Sequence, residues 1–150
     1  MTTSDSIRSS NRLELCEVGP RDGFQNESVL IPLDTKVAFI DALSETGLKE
    51  IEVGSFVRPD VIPQLADSAE VLARIKRREG VCYSALVPNR RGLDGALAAS
   101  VDKVSIFTAA SESFVGHNIR ATIEESIGRF VPVVEGAHAV SIMARGQYVR

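Results

Sequence analysis

The sequence predicts an α/β fold in which short parallel strands alternate with helices. Three observations carry that expectation. Runs rich in β-branched and aliphatic residues recur at Leu13–Val18, Ile51–Phe56, Val81–Val87 and Lys103–Thr108. Between them lie stretches whose apolar residues return at helical spacing. Gly and Pro punctuate the joins, at Gly19-Pro20, Gly47 and Pro88-Asn89. Strands separated by helices of roughly 10–15 residues pair in parallel through right-handed crossovers.

The first strand, Leu13–Val18, runs into Gly-Pro and so leaves its sheet there. A helix follows over Pro32–Thr46, with Leu33, Val37 and Ile40 on one face, Pro32 in the first turn and Gly47 as the stop. The second strand, Ile51–Phe56, places Glu52 on the same face as Gly54 and Phe56 by simple alternation. Asp67 opens the second helix, with Glu70 placed to complete a capping box. The third strand, Val81–Val87, closes at Pro88-Asn89, and a third helix runs from about Gly92 to Ala99. The fourth strand, Lys103–Thr108, leads into a loop carrying His117 and Asn118. A fourth helix begins at Thr122, capped with Glu125, presents Ile123, Ile127 and Val131, and is expected to stop or kink at Pro132. The run Val140–Arg150 reads as a fifth strand. Periodicity by itself leaves open whether these strands form an open doubly wound sheet or part of a barrel. A Rossmann sheet, though, wants a Gly-rich turn after its first strand, and this chain has Gly-Pro-Arg-Asp-Gly.

Bulk properties exclude several classes. The chain has 150 residues, 44% of them hydrophobic and 25% charged, with a net charge of -3, as expected of a globular domain. The mild acidity argues against nucleic acid. The basic cluster Arg74, Lys76, Arg77 and Arg78 ends a helix, where cations suit the dipole. No apolar run approaches the roughly 18 residues of a membrane span. Residues 1–11 are rich in Ser and Thr without the core of a secretory signal, so they are expected as a disordered tail before a folded domain over 12–150, with the cytoplasm as the default location. Cys16 and Cys82 lack metal-site spacing and read as buried small hydrophobes within strands.

The chemistry concentrates at Glu17-Val18-Gly19-Pro20-Arg21-Asp22-Gly23-Phe24-Gln25-Asn26-Glu27. At a strand exit, Arg21 supplies a permanent cation beside the hard carboxylate of Asp22, where a substrate carbonyl and a metal ion can meet. This run resembles the N-terminal signature of hydroxymethylglutaryl-CoA lyases, members of a metal-dependent lyase and aldolase family built on a TIM barrel. The resemblance continues through Glu52, Ser55-Phe56, Pro63-Gln64, Pro88-Asn89 and Ala110-Ser111-Glu112 and covers nearly the whole chain. Condensing relatives carry a Leu-Arg-Asp-Gly-Glu-Gln type of run and carboxylase-associated ones Phe-Arg-Asp-Ala-His-Gln, so the lyase branch is the better match.

The resemblance implies an incomplete TIM barrel of about four to four and a half βα units, since a full barrel takes about 250 residues. It implies cleavage of a 3-hydroxyacyl-CoA to acetyl-CoA and a keto acid, acetoacetate in the case of hydroxymethylglutaryl-CoA, as in leucine degradation and ketone body metabolism. In that reading Arg21 stabilises the enolate at the thioester carbonyl and Glu52 holds its guanidinium. Asp22 binds a divalent metal, Mg²⁺ or Mn²⁺. Gln25, Asn89, Ser111 and Glu112 are substrate-binding candidates on the rim at the carboxyl ends of the strands. His117 and His138 read as surface residues, the latter suiting a helix end.

The family's His-x-His metal pair, its later asparagine ligand and its Gly-Gly-Cys-Pro loop do not occur in these 150 residues. Its fifth strand reads Arg-Gly-Tyr-Val, whereas this chain has Arg145-Gly146-Gln147-Tyr148-Val149-Arg150. The expectations are therefore an enzyme half that is inert when alone or, in a different class, a non-catalytic half-barrel that only associates with another. An apolar inner strand face and open edges would favour a homo-oligomer, or pairing with a C-terminal half.

Overall fold

The computed structural model describes residues 13–149; the tail expected over residues 1–11 lies outside the described residues. Five strands form one sheet: β1 (Cys16–Glu17), β2 (Glu50–Ser55), β3 (Cys82–Leu86), β4 (Lys103–Ala109) and β5 (Met143–Val149). They lie in sequential order and every neighbouring pair is parallel. A doubly wound sheet reverses its strand order at a switch point. Sequential parallel order with crossover helices is the arrangement of a barrel, here an incomplete one.

The helices are α1 (Leu33–Ser44), α2 (Ser68–Arg74), α3 (Arg90–Ala98), α4 (Glu112–Ile119) and α5 (Ile123–Ala139). A continuous core joins Ile51, Val53, Tyr83, Ala85 and Val104 of the strands to Ile40, Leu72, Leu93, Ala96 and Val133 of the helices. Alternation then sends the remaining strand residues to the inner face. Register aligns Glu52, Ser84 and Lys103 in one row, and Ser55, Leu86, Ser105 and Arg145 in the next. That face is largely polar, not apolar as expected, because the helix side takes up the strands' aliphatic residues.

Several elements depart from the sequence reading. β1 pairs over two residues only, since it is an edge strand with one neighbour, and Leu13 and Leu15 stay exposed. Val53 is a bulge in β2, so Glu52 does not share its face with Gly54 and Phe56. Gly54 backs onto α2, where an added Cβ would sit 2.4 Å from Ser68 Oγ, and the Phe56 ring lies against Gly95 of α3. Asp67 stands at the N-cap of α2 but caps nothing. Its carboxylate instead accepts from the buried Lys36 Nζ at 2.6 Å, and that ammonium also donates to the Gln64 carbonyl at 2.5 Å.

The expected loop after β4 contains α4, which is capped by Ser111 and ends at Arg120 in left-handed backbone, φ 49°. α5 has the expected Thr122–Glu125 capping box but runs on through Pro132 to Ala139. Its buried face is Ser126, Phe130, Val133 and Ala137, while Ile127 and Val131 face outward. Packing on both sides of Pro132 offsets the roughly 3 kcal/mol that an interior proline costs. Arg74, Arg77 and Arg78 make surface ion pairs with Asp34, Asp102 and Glu45, an ordinary solvated face.

Candidate active site

The chain leaves β1 through a single π-helical turn, Gly19–Gly23, across which the Phe24 N–H donates to the Gly19 carbonyl; the Asp22 N–H donates to the carbonyl of Val18, just before the turn, at 2.7 Å. Such turns are rare and often mark functional positions. The Glu17 side chain accepts from the Gly19 N–H at 2.7 Å and fixes the start of the turn. Arg21 is thereby aimed at β2. Its Nε donates to Glu52 Oε1 at 2.5 Å, and its Nη1 donates to Asp22 Oδ1 at 2.8 Å.

Glu52 has no solvent contact. A buried carboxylate is tolerable only when paired and hydrogen-bonded. Its second oxygen accepts from Arg145 Nη2 at 3.1 Å and from Gln147 Nε2 at 2.8 Å. Arg145 also lies 2.9 Å from Glu50 Oε1 through Nη1, an ion pair without hydrogen-bond geometry, and Lys103 Nζ holds Glu50 Oε2 at 2.6 Å. Burial alone would raise the Glu50 carboxyl; Lys103 and Arg145 outweigh it and hold the group below its ordinary value. Arg145 is raised, because Cys16 and the two glutamates outweigh the opposing effect of burial. Burial pushes the half-buried thiols of Cys16 and Cys82 above the usual range.

Of the residues marked from sequence, Arg21, Asp22 and Glu52 come together as one cluster. Gln25 lies in the turn just beyond, with Oε1 buried and lacking a hydrogen bond among the described residues. Asn89 caps α3 by accepting from Gly92 N–H at 3.0 Å. It also lines a cavity of about 380 Å³ with Ser55, Phe56, Arg58 and Arg91, where β2 and β3 end. Ser111 caps α4, and Glu112 accepts from Ile123 N–H at 3.1 Å, joining α4 to α5. His117 sits within α4, with Nδ1 2.7 Å from the Ser113 carbonyl oxygen. Sequence reasoning missed Arg145 and Gln147; their i, i+2 spacing on a strand was the available signal.

For a divalent cation the donor chemistry is half right. Asp22 is a half-exposed hard oxygen donor with one oxygen engaged by Arg21. Among the described residues no group of three or more His, Cys, Asp or Glu is placed to hold an ion. These residues supply one ligand and do not by themselves form a metal site.

The model of the HMGL-like family matches residues 12–147. The chain is 51% identical over 134 residues to the cytoplasmic 3-hydroxy-3-methylglutaryl-CoA lyase of Rattus norvegicus, covering 89% of this chain and 39% of that protein. It is 51% identical over 135 residues to the mitochondrial hydroxymethylglutaryl-CoA lyase of Gallus gallus, covering 90% and 45%. The crystal structure of hydroxymethylglutaryl-CoA lyase from Pseudomonas aeruginosa superposes with a TM-score of 0.88 at 49% identity, over 91% of this chain and 46% of that one. The chain thus spans under half the length of the relatives it matches. On the matched sequence, the sequential parallel strands and the likeness to that solved lyase, the chain belongs to the HMGL-like family.

Proposed function

We propose that this chain forms the amino-terminal half of a hydroxymethylglutaryl-CoA lyase-type site that cleaves a 3-hydroxyacyl-CoA to acetyl-CoA and a keto acid. For hydroxymethylglutaryl-CoA the keto acid is acetoacetate, which places the reaction in leucine degradation and ketone body metabolism. The observation that carries the reading is the Arg21 guanidinium fixed by the solvent-free Glu52 at a strand exit, beside Asp22. Cleavage of this kind leaves negative charge on a thioester oxygen. A cation held in place beforehand stabilises that charge without reorganising, which is the most effective form of electrostatic catalysis. Glu52 orients Arg21, and Asp22 offers an oxygen for Mg²⁺ or Mn²⁺. Gln25, Asn89, Ser111 and Glu112 are proposed as substrate contacts near the rim. The rat and chicken lyases, whose names specify a CoA thioester, support the substrate class. The cytoplasm is the proposed location; no described helix is long and apolar enough to cross a membrane.

The test is acetyl-CoA release by the chain co-expressed with the complementary half of a relative. Replacing Arg21 by Met is expected to lower turnover by about 10²–10³, roughly 3–4 kcal/mol. Near-normal turnover in that variant would make the arginine structural. A second reading, a half-barrel that associates with another half without catalysis, is favoured by the two edge strands of the sheet, β1 and β5, each with a neighbour on one side only among the described residues. Under it, complexes form on size-exclusion chromatography but release no acetyl-CoA. The 150-residue chain assayed alone is expected to be inert and to elute as a dimer or larger.

A further inference from the structure

We propose that Arg145 is a positioning residue for this same site, acting through Glu52 on Arg21. The argument starts from the carboxylate. Glu52 has two oxygens and no water contact, so its orientation is set entirely by the groups that reach it. Arg21 Nε takes Oε1 at 2.5 Å. Arg145 Nη2, at 3.1 Å, takes Oε2 from the far side of the barrel interior, with Gln147 Nε2 beside it at 2.8 Å. The carboxylate is thus stretched between two guanidinium groups, and turning it to suit one would break its contact with the other.

Arg145 is itself held from several strands. It is in ion-pair contact with Glu50 of β2 at 2.9 Å, donates to Ser105 Oγ of β4 at 3.3 Å and lies 3.5 Å from Cys16 Sγ of β1. Its Nε is buried without a hydrogen bond among the described residues. A planar fork that spans β1, β2 and β4 from β5 cannot be replaced by the point charge of a lysine. Only part of the inference, the effect on turnover, rests on the lyase reading. The effect on the geometry of Arg21 is independent of it.

The experiment uses the ¹⁵N-labelled 150-residue chain and the side-chain Nε–H signal of Arg21, assigned by its disappearance in Arg21→Lys. Hydrogen exchange at that site is expected to be at least about 10-fold faster in Arg145→Met, the scale of one lost charge-assisted hydrogen bond. Arg145→Lys is expected to lie between the two. Arg74→Met, which removes a cation from the surface ion pair with Asp34 outside this network, should leave the rate within about 2-fold. An unchanged Arg21 signal in a folded Arg145→Met chain overturns the proposal, as does an equal change in Arg74→Met. Should Arg145→Met fail to fold, Arg145→Lys is read in the same way, and an unchanged signal there overturns it equally.

In the complemented enzyme, Arg145→Met should lower kcat by about 10-fold or more while KM stays within about 3-fold. A normal kcat in that variant overturns the link to turnover. A changed Arg21 signal in a system whose wild type releases no acetyl-CoA would sink the lyase reading and leave the positioning role standing.

Discussion

At Glu52 the chain buries a full charge on the inner face of a five-stranded sheet, where a well-packed apolar side chain would be at least as stabilising. What the charge provides is direction for Arg21. Removing the charge leaves two guanidinium groups facing a neutral amide, so Glu52→Gln is expected to cost about 3–5 kcal/mol in urea unfolding of the chain. Paired with Arg21→Met, the two changes should be non-additive by about 1–3 kcal/mol, since they break one contact. Additive values would mean that the 2.5 Å contact does not hold the pair together in solution. The Arg21–Glu52 pairing was legible through the family resemblance, which implies a glutamate at this point of the second strand that holds the arginine. Arg145 was not. Its contact with Glu52 joins positions 93 apart, and nothing local to β5 says which carboxylate lies across the interior.

Among elements, α2 and α5 show how tertiary partners override a local signal. The capping boxes at Asp67–Glu70 and Thr122–Glu125 look alike in sequence, yet only the second forms, because Lys36 from α1 claims Asp67. Lys36→Met frees Asp67 to cap α2, which returns about 1 kcal/mol. The net loss in a thermal melt should therefore stay below about 2 kcal/mol, well under the cost of Glu52→Gln. Thr122→Ala has no such compensation and is expected to cost about 1 kcal/mol. α3 is held close by a small residue: a Cβ at Gly92 would lie 2.8 Å from Pro88 Cδ and 2.9 Å from the Phe56 carbonyl oxygen. Gly92→Ala should destabilise by about 1–3 kcal/mol, because backbone cannot step aside as a flexible side chain can. α4 escaped sequence reading because its eight residues follow β4 after only a short cap and carry a mixed pattern. Such short segments are set by context rather than propensity.

Across the whole molecule, the parallel direction of the strands followed from the βα alternation and their sequential order from the family resemblance, while the polarity of the interior followed from neither. Parallel strands usually carry apolar residues on both faces. Here one face is charged, and strands of five to seven residues are too short to reveal from sequence which side the helices will cover. The charged interior has a consequence for acid stability. The folded Glu50 carboxyl lies below its ordinary value of 4.5. Its contribution is therefore full above about that pH and is lost as the pH falls through the lower, folded value. Glu50→Gln should reduce stability at pH 7 by on the order of 1–3 kcal/mol and flatten the loss below pH ~4 in urea titrations. An unchanged acid limb would show that other carboxylates control it.

The bulge at Val53 makes position along β2 a matter of parity. Before it, even-numbered residues look inward; after it, odd-numbered ones do. Counting by twos from Glu52 therefore leads to the wrong neighbours, since Gly54 and Phe56 belong to the helix layer. The β2 residue that shares the interior with Glu52 toward the rim is Ser55, in register with Leu86, Ser105 and, across the sheet, Arg145.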